Sequence, residues 1–263
     1  MVVQLETIQR HLKREYEKEL TINTLGYAQH DNCIEHCLKF AFGNCNEEHL
    51  EHCEKCNKID LIFQQILQIL PNKKDIIVEN HAKLQYYWAH QARKTYLNAQ
   101  FNAALLRLDE NGAIIVVDYK MKILPQSARE IKSDFFGKKG FTLHTLLVYT
   151  KKANDSTFLN LEVLDHWSAD PTQDAWFTAS SFDALFSTME KKPSWIEVLS
   201  DNGAHYHNKE LIMIISQWSK WYDIEVKSWI FLEPGEAKTT VDSHHAQVIH
   251  FLFTSSIFLQ SIY

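Results

Sequence analysis

Residues 113–118 have the sequence Ala-Ile-Ile-Val-Val-Asp, and they follow a turn signal at residues 109–112, Asp-Glu-Asn-Gly. A short, continuously apolar run rich in β-branched residues is typical of a strand buried on both faces of a sheet. Asp118 stands at the end of this run, where we expect the strand to end. The stretch therefore predicts a buried strand with a carboxylate at its carboxyl end.

The same patterns predict four further strands and the helices between them. The strands are predicted over residues 141–150, 158–166, 195–201 and 224–232. The helices are predicted over residues 173–191 and 208–222 and from residue 239 onward. The order βββαβαβα predicts an α/β fold with a mixed five-stranded sheet.

A helical region is expected before the sheet. Residues 5–20, 58–70 and 74–106 have helical patterns, and Pro71 ends the second of them. We therefore expect two domains, a helical one over residues 1–109 and an α/β one over residues 110–263. The second domain is expected to be truncated or frame-shifted, because only 21 residues follow Asp242 and the tail over residues 248–263 carries little charge.

Two aspartates end predicted strands of the sheet. Asp201 ends the fourth strand, as Asp118 ends the first, so we expect the two carboxylates to face one another. Close carboxylates repel unless a cation neutralises them. Two Mg²⁺ or Mn²⁺ ions about 3.5–4 Å apart would do so and would support phosphoryl transfer. The structural alternative is that each aspartate forms a turn or a cap, since Asp-Asn-Gly is a common turn.

Three motifs in this order resemble a known superfamily. They are Val-Val-Asp-Tyr-Lys-Met-Lys at 116–122, Ser-Asp-Asn-Gly-Ala-His-Tyr-His-Asn at 200–208, and Gly-Glu-Ala-Lys-Thr-Thr-Val-Asp-Ser-His-His at 235–245. The chain is similar to transposon-derived proteins with the pattern D…SDG…N…GxGKxxxDG, within the RNase H-like DDE/DDD transposases and integrases. It departs from the pattern at Ala237, because the pattern has a glycine at this position before the lysine.

The resemblance implies an RNase H-like fold and divalent-metal-dependent DNA cleavage and strand transfer. It implies a catalytic triad of Asp118, Asp201 and Asp242, with Glu236 as the alternative third acid. The rival hypothesis is a catalytically inactive, transposon-derived module that binds nucleic acid or protein. A third hypothesis is a hydrolase with a single metal ion held by histidine pairs, at 205/207 and 244/245.

Basic residues and histidines near the acids are candidates to contact the DNA backbone. For the lysines the alternative is a solvated loop, and for the histidines it is a cap or loop role. The candidates are Lys120, Lys122, Lys138, Lys139, His244 and His245.

All five cysteines lie between Cys33 and Cys56, in a segment over residues 30–56 that also holds four histidines. An odd number of cysteines among histidines favours a zinc site over disulfides. The best run of ligands is Cys45-x3-His49-x3-Cys53-x2-Cys56. Four protein ligands leave no open position, so we expect structural zinc.

Other ligand sets for this segment remain open. His52 is an alternative to His49. Cys33 and Cys37, with His30 or His36, either complete the site, form a second one, or pack as buried helix residues.

Composition restricts the class of protein. The 27 Lys and Arg residues against 33 Asp and Glu residues argue against coating nucleic acid through bulk charge. No apolar run of 18 residues and no signal peptide are visible. We therefore expect a soluble intracellular protein with no membrane partner. The transposase resemblance implies that it binds DNA, acts in the nucleus or elsewhere in the cell, and could form a homo-oligomer.

Overall fold

The computed structural model describes residues 30–124, 131–132, 137, 140–152, 155–233 and 240–254. The chain divides into two compact units, and the division falls between Ala103 and Ala104. Several predictions fall outside the described residues. They are the helix over residues 5–20, Lys138, Lys139, Glu236 and the end of the tail from residue 255.

From residue 30 onward, the first unit contains three α-helices. They are α1 (Leu38–Phe42), α2 (Glu54–Ile69) and α3 (Lys74–Arg107), with a 3₁₀ turn at Pro71–Lys73 between the last two. A cluster of buried apolar residues lies among the described residues of this unit. It consists of Leu38, Ala41, Cys56, Ile59, Trp88 and Ala92.

The second unit is built on a mixed five-stranded sheet. Its strands are β1 (Gly112–Ile123), β2 (Phe141–Lys152), β3 (Asp155–Ser168), β4 (Trp195–Asp201) and β5 (Glu225–Leu232). Their order in the sheet is β3-β2-β1-β4-β5. The first three strands are antiparallel, and β4 is parallel to both β1 and β5. The predicted five-stranded mixed sheet is confirmed.

Helices cover both faces of this sheet. They are α4 (Ala175–Thr188), α5 (Lys209–Ile215), α6 (Trp218–Tyr222) and α7 (Thr240–Thr254). Odd-numbered residues of β1, such as Ile115 and Val117, share a core with Phe182 of α4 and Trp218 of α6. On the other face α7 packs against β1 and β2. β1 is consequently buried on both faces, as its apolar run predicts.

Two details differ from the sequence predictions. β1 continues past Asp118 to Ile123, so Asp118 does not lie at the end of its strand. The reason is that β1 stays paired to β2 after its parallel pairing with β4 ends at Val116. The predicted helix over residues 208–222 is also divided, into α5 and α6.

Within the described parts of the chain, none of the helices is long and apolar enough to cross a membrane.

Candidate functional site

The acid site begins with two neighbouring parallel strands. Val116 of β1 is paired with Leu199 of β4, and two residues further along each strand stand Asp118 and Asp201. Residues two apart project from the same face of a sheet, so both carboxylates stand side by side on one face. The register of the sheet thus brings the two predicted acids together.

The third acid comes from α7. Asp242 lies in the first turn of this helix. Burial, and then the nearby carboxylates of Asp201 and Asp242, raise the pKa of Asp118 to about 7. Both acids are therefore close enough to act on Asp118 electrostatically. The alternative third acid, Glu236, lies outside the described residues.

A tight turn after β4 holds Asp201. The backbone N–H of Gly203 donates a hydrogen bond of 3.0 Å to Oδ1 of Asp201. Nε2 of His205 lies 3.4 Å from the same oxygen. The His205 side chain, and then the Gly203 N–H, lower the pKa of Asp201 against the effect of burial. Asp201 is consequently the ionised member of the pair at neutral pH.

Close packing in this turn requires glycine at position 203. A Cβ atom there would lie 2.3 Å from Cε1 of His205 and 2.9 Å from Oδ1 of Asp201. Both distances are far below van der Waals contact. The Asp-Asn-Gly sequence is therefore a turn, as the structural alternative held, and the same turn positions the carboxylate.

A row of polar residues crosses the sheet from Asp118. Asp118 is paired with Thr145 of β2, and Thr145 is paired with Asp165 of β3. The Thr145 hydroxyl donates to Oδ1 of Asp165 at 2.6 Å. Oδ2 of Asp165 lies 2.8 Å from Nε2 of His244, which anchors α7 to β3.

His245 connects this row to Asp118. Its Nε2 lies 2.9 Å from Oγ1 of Thr145, and its Nδ1 lies 3.6 Å from Oδ2 of Asp118. Since the Thr145 hydroxyl donates its single hydrogen to Asp165, it accepts from Nε2–H of His245. Burial, and then the charge of Lys120, lower the pKa of His245 to about 4. Its Nδ1 lone pair therefore faces Asp118 at neutral pH.

A second layer lies on the opposite face of the sheet behind the acids. Tyr119 stacks on His144 with ring centroids 4.1 Å apart. Nε2 of His144 lies 3.0 Å from the Tyr206 hydroxyl, and the Tyr119 hydroxyl lies 2.9 Å from that of Thr178. Burial lowers the pKa of His144 well below its usual range. The layer is thus uncharged at neutral pH.

The predicted DNA-contacting residues have different environments. Lys120 is half-buried on the same face as Asp118. Lys122 is exposed but has a φ of 42° at an irregularity in the β1–β2 pairing, so it does not continue the alternation from Lys120. His245 is only 2% exposed. Its position suits orientation of Asp118 rather than direct contact with a DNA strand.

A cavity of about 440 Å³ lies elsewhere in this unit. It is lined by residues around Gly112, at the start of β1, and includes Glu110 and Lys191. The acids lie toward the other ends of the parallel strands, so they belong to an open face rather than to this cavity.

The Cys/His segment of the first unit forms compact groups of potential metal ligands. In each group the ligand atoms lie within 4.8 Å of one another. One group contains four residues, and they are His30, Cys37, Cys45 and His49. Two overlapping groups of three are His36, Cys53 and Cys56, and Asp31, Cys33 and His36.

This grouping differs from the predicted run of ligands. Cys45 and His49 lie in one group, whereas Cys53 and Cys56 lie in another. The alternative ligand His52 belongs to neither, since its Nδ1 lies 3.3 Å from Oε1 of Glu35. The predicted run of ligands is therefore divided between two groups. His49 and Cys53 belong to different groups although they are close in sequence.

Cys33 and Cys37 are buried, yet neither lies inside a helix. Cys37 is the residue before α1, and Cys33 forms an isolated bridge with Glu51. Burial, and then the Glu35 side chain, raise the pKa of Cys33 to about 12. The alternative that these two cysteines pack as ordinary helix residues does not match their positions.

Comparison with known proteins places the second unit in a family. A family model described as a domain of unknown function, DUF8701, matches residues 98–259, which is more than half of the chain. The chain belongs to this family. The DUF8701 match includes all five strands and the aspartates at 118, 201 and 242, and it leaves the Cys/His segment outside. No curated protein matched the chain.

Among solved structures, one match is a chain from the crystal structure of the Mos1 strand transfer complex. The two chains are 12% identical, and the match covers 57% of this chain and 44% of that one. The DUF8701 protein thus spans less than half of the length of the Mos1 chain. The TM-score is 0.28. So loose a superposition carries no argument about fold or function, which rest on this chain's own residues.

Proposed function

We propose that this protein is an RNase H-like, transposase-like enzyme that cleaves and transfers DNA strands through phosphodiester chemistry at Asp118, Asp201 and Asp242. The observation that carries the proposal is the convergence of three acids from separate elements on one face of the sheet. DNA is then its partner, and its place of action is nuclear or otherwise intracellular.

The architecture supports this proposal. Three antiparallel strands are followed by two parallel strands, with helices after β3, β4 and β5. This is the order βββαβαβα that, together with the three motifs, led to the RNase H-like hypothesis, with one helix divided in two. This order of elements supports the proposal, with Asp118 on β1, Asp201 on β4 and Asp242 on α7.

The acids fit a divalent cation chemically. Carboxylate oxygens are the ligands that Mg²⁺ and Mn²⁺ prefer. Burial, and then the proximity of the Asp201 and Asp242 carboxylates, raises the pKa of Asp118, and a bound cation would stabilise its ionised form against both effects. Such ions, when bound, activate a water or a DNA 3′-hydroxyl and stabilise the leaving oxygen.

The chain's own residues would hold the acids in place. The Gly203 N–H and His205 orient Asp201. His245 of α7, which is held by Thr145 of the neighbouring strand, lies beside Asp118. Lys120, on the same face, supplies positive charge where a phosphate would approach.

A nicking assay on supercoiled plasmid tests the proposal. We expect wild-type protein to nick the plasmid with Mg²⁺ or Mn²⁺ but not with Ca²⁺, and Asp201→Asn to lower the rate by about 100-fold or more. Asp223→Asn is the matched control. Asp223 is exposed in the same unit at a φ of 60°, a conformation that asparagine accepts readily, so activity should not change.

The result that would overturn the proposal is equally definite. Folded wild-type protein that leaves the plasmid intact with Mn²⁺ contradicts an enzyme and favours the inactive binding module. Equal nicking by wild-type protein and Asp201→Asn would place the chemistry at other residues or in a contaminant.

A further inference from the structure

We propose that residues 30–56 bind two zinc ions, each held by four side chains, and that both ions stabilise the first unit. This inference is independent of the catalytic proposal above. The ligands of the first ion are His30, Cys37, Cys45 and His49. The ligands of the second ion are Cys33, His36, Cys53 and Cys56.

The first group already has the spacing of a tetrahedral site. Bonds of about 2.0–2.3 Å to nitrogen and sulfur put neighbouring ligand atoms of a tetrahedron roughly 3.3–3.8 Å apart. Nδ1 of His30 lies 3.3 Å from Sγ of Cys45 and 3.8 Å from Sγ of Cys37. The His49 ring is next to that of His30, with centroids 5.0 Å apart. Two thiols and two imidazoles thus surround one point.

A buried nitrogen in this group needs a partner. Nε2 of His49 is buried and makes no hydrogen bond within the described part of the chain. Leaving such a buried polar atom unsatisfied costs about 1–3 kcal/mol. A bond to zinc would satisfy the nitrogen lone pair, because imidazole binds Zn²⁺ in its neutral form.

The second group is built from two short turns. His36 follows Cys33 by three residues, and the His36 N–H donates to the Cys33 carbonyl at 3.0 Å. Cys53 directly precedes α2, and Cys56 lies in the first turn of that helix. Each turn presents two ligands from one side of the chain, which is the usual spacing in structural zinc sites.

Cys33 joins the second group through direct contact between the turns. The backbone N–H of Cys53 donates to Sγ of Cys33 at 3.2 Å. Its thiol donates to Oε2 of Glu35 at 2.8 Å. The nearby Asp31 caps the turn by accepting the Cys33 N–H at 2.7 Å. Thiolate is also the softer ligand and suits Zn²⁺ better than carboxylate.

The assignment uses the whole cysteine content of the chain. All five cysteines and three of the histidines make eight ligands, enough for two complete tetrahedra. It also explains the odd number of cysteines, which a set of disulfides does not. Only His52 among the segment's histidines is left over, and it pairs with Glu35.

The ions would be structural, because four protein ligands leave no open position on either ion. Among the described residues of the unit, the hydrophobic cluster around Trp88 has six buried members, and one of them is Cys56. Hydrophobic cores this small are commonly supplemented by disulfides or metals. The second ion would join residues 33–36 to residues 53–56. Three of the four ligands of the first ion lie between these two turns, so the loop closed by the second ion would contain a smaller loop closed by the first.

Zinc content per chain tests the proposal. Full-length protein purified from zinc-supplemented medium, without chelator, should carry two zinc ions by native mass spectrometry. Cys45→Ser and Cys53→Ser should each carry one, and the double variant none. His52→Asn is the matched control and should keep two. If Cys45 and Cys53 instead shared a single site, either substitution would remove the same ion.

A second measurement on wild-type protein guards against misfolding of the variants. X-ray absorption at the zinc edge should give about 2.5 sulfur and 1.5 nitrogen ligands per zinc, the average of the two proposed sites. One zinc per wild-type chain, loss of zinc in His52→Asn, or a sulfur count near four would each overturn the proposal.

Discussion

Asp118 and Asp201 stand at the same level of two neighbouring parallel strands, two residues beyond the paired Val116 and Leu199. Their proximity is therefore set by backbone register rather than by a flexible loop. The sheet cannot form in this register without bringing the two carboxylates together. Any unfavourable interaction between them is built into the folded state, and it is offset elsewhere in the fold or by a bound cation.

Asp118→Asn should stabilise the protein in the absence of Mg²⁺ and Mn²⁺. The pKa of Asp118 is about 7 in the folded state against an ordinary value of 3.8. Between those values the folded protein holds a proton that the unfolded chain has lost, so stability falls as pH rises from about 4 to 7. At pH 8 we expect the variant to be more stable by about 2–4 kcal/mol in urea unfolding.

The pH dependence distinguishes this effect from a general change in packing. At pH 4 wild-type protein and Asp118→Asn should be equally stable, because both side chains are then uncharged. Asp223→Asn, at an exposed position of the same unit, is the control substitution. A variant that gains the same stability at both pH values would contradict the electrostatic explanation.

Gly203→Ala should damage the acid site through steric overlap. The added methyl group would meet His205 and Asp201 at distances below 3.0 Å. We expect a loss of about 1–3 kcal/mol in stability, together with a nicking rate at least about 10-fold lower. Gly137→Ala is the control, since a Cβ there has nothing within 4 Å. Equal effects of the two substitutions would contradict the packing described for the turn.

His245→Gln should separate the structural contribution of His245 from its effect on Asp118. The glutamine amide can still donate to Thr145 in place of Nε2, but it removes the Nδ1 lone pair 3.6 Å from Asp118. We therefore expect near-normal thermal stability and a nicking rate that is roughly 10–100-fold lower, as for other residues that orient metal ligands. We also expect the variant to need a higher Mn²⁺ concentration for half-maximal activity. Unchanged Mn²⁺ titration curves would contradict a positioning role.

His144→Gln should change the response of the protein to acid. Burial holds the pKa of His144 well below 6.5, so the unfolded chain gains a proton there that the folded protein resists. Stability is then lost as pH falls below about 6.5, by about 1.4 kcal/mol per pH unit for this one histidine. Glutamine can keep the bond to Tyr206 without titrating. The difference in stability between wild-type protein and variant should shrink or reverse from pH 7.5 to 5.5. If the two plots of stability against pH are parallel, protonation of His144 is not a source of the acid sensitivity.

Local patterns were sufficient to predict the sheet. The apolar run before Asp118 predicts a strand buried on both faces, and β1 has that burial. The alternation of turn residues and apolar runs also gave the bounds of β4. Strand length was harder to predict, because β1 extends beyond Asp118 only through its pairing with β2. The sequence of residues 119–123 alone does not indicate that they pair with β2.

The supporting residues of the acid site could not be predicted from spacing. Thr145 and Asp165 reach Asp118 only through the registers of two antiparallel pairs. The alternating pattern of β2 and β3 offered a signal, since a polar residue at the buried position 145 needs a partner. The grouping of the Cys/His ligands could not be predicted from spacing for a similar reason, because ligands close in sequence belong to different groups in space.

α7 supplies Asp242, His244 and His245, and its bonds to Thr145 and Asp165 fasten it across the sheet. If a cation joins Asp118 to Asp242, docking of this helix and capture of the cation become a single linked equilibrium. Each then strengthens the other by the same factor. When α7 is not docked, only the two acids of the sheet are in place, because the third is carried by this helix. The proposed chemistry would then depend on the docking of α7 as much as on the register of the sheet.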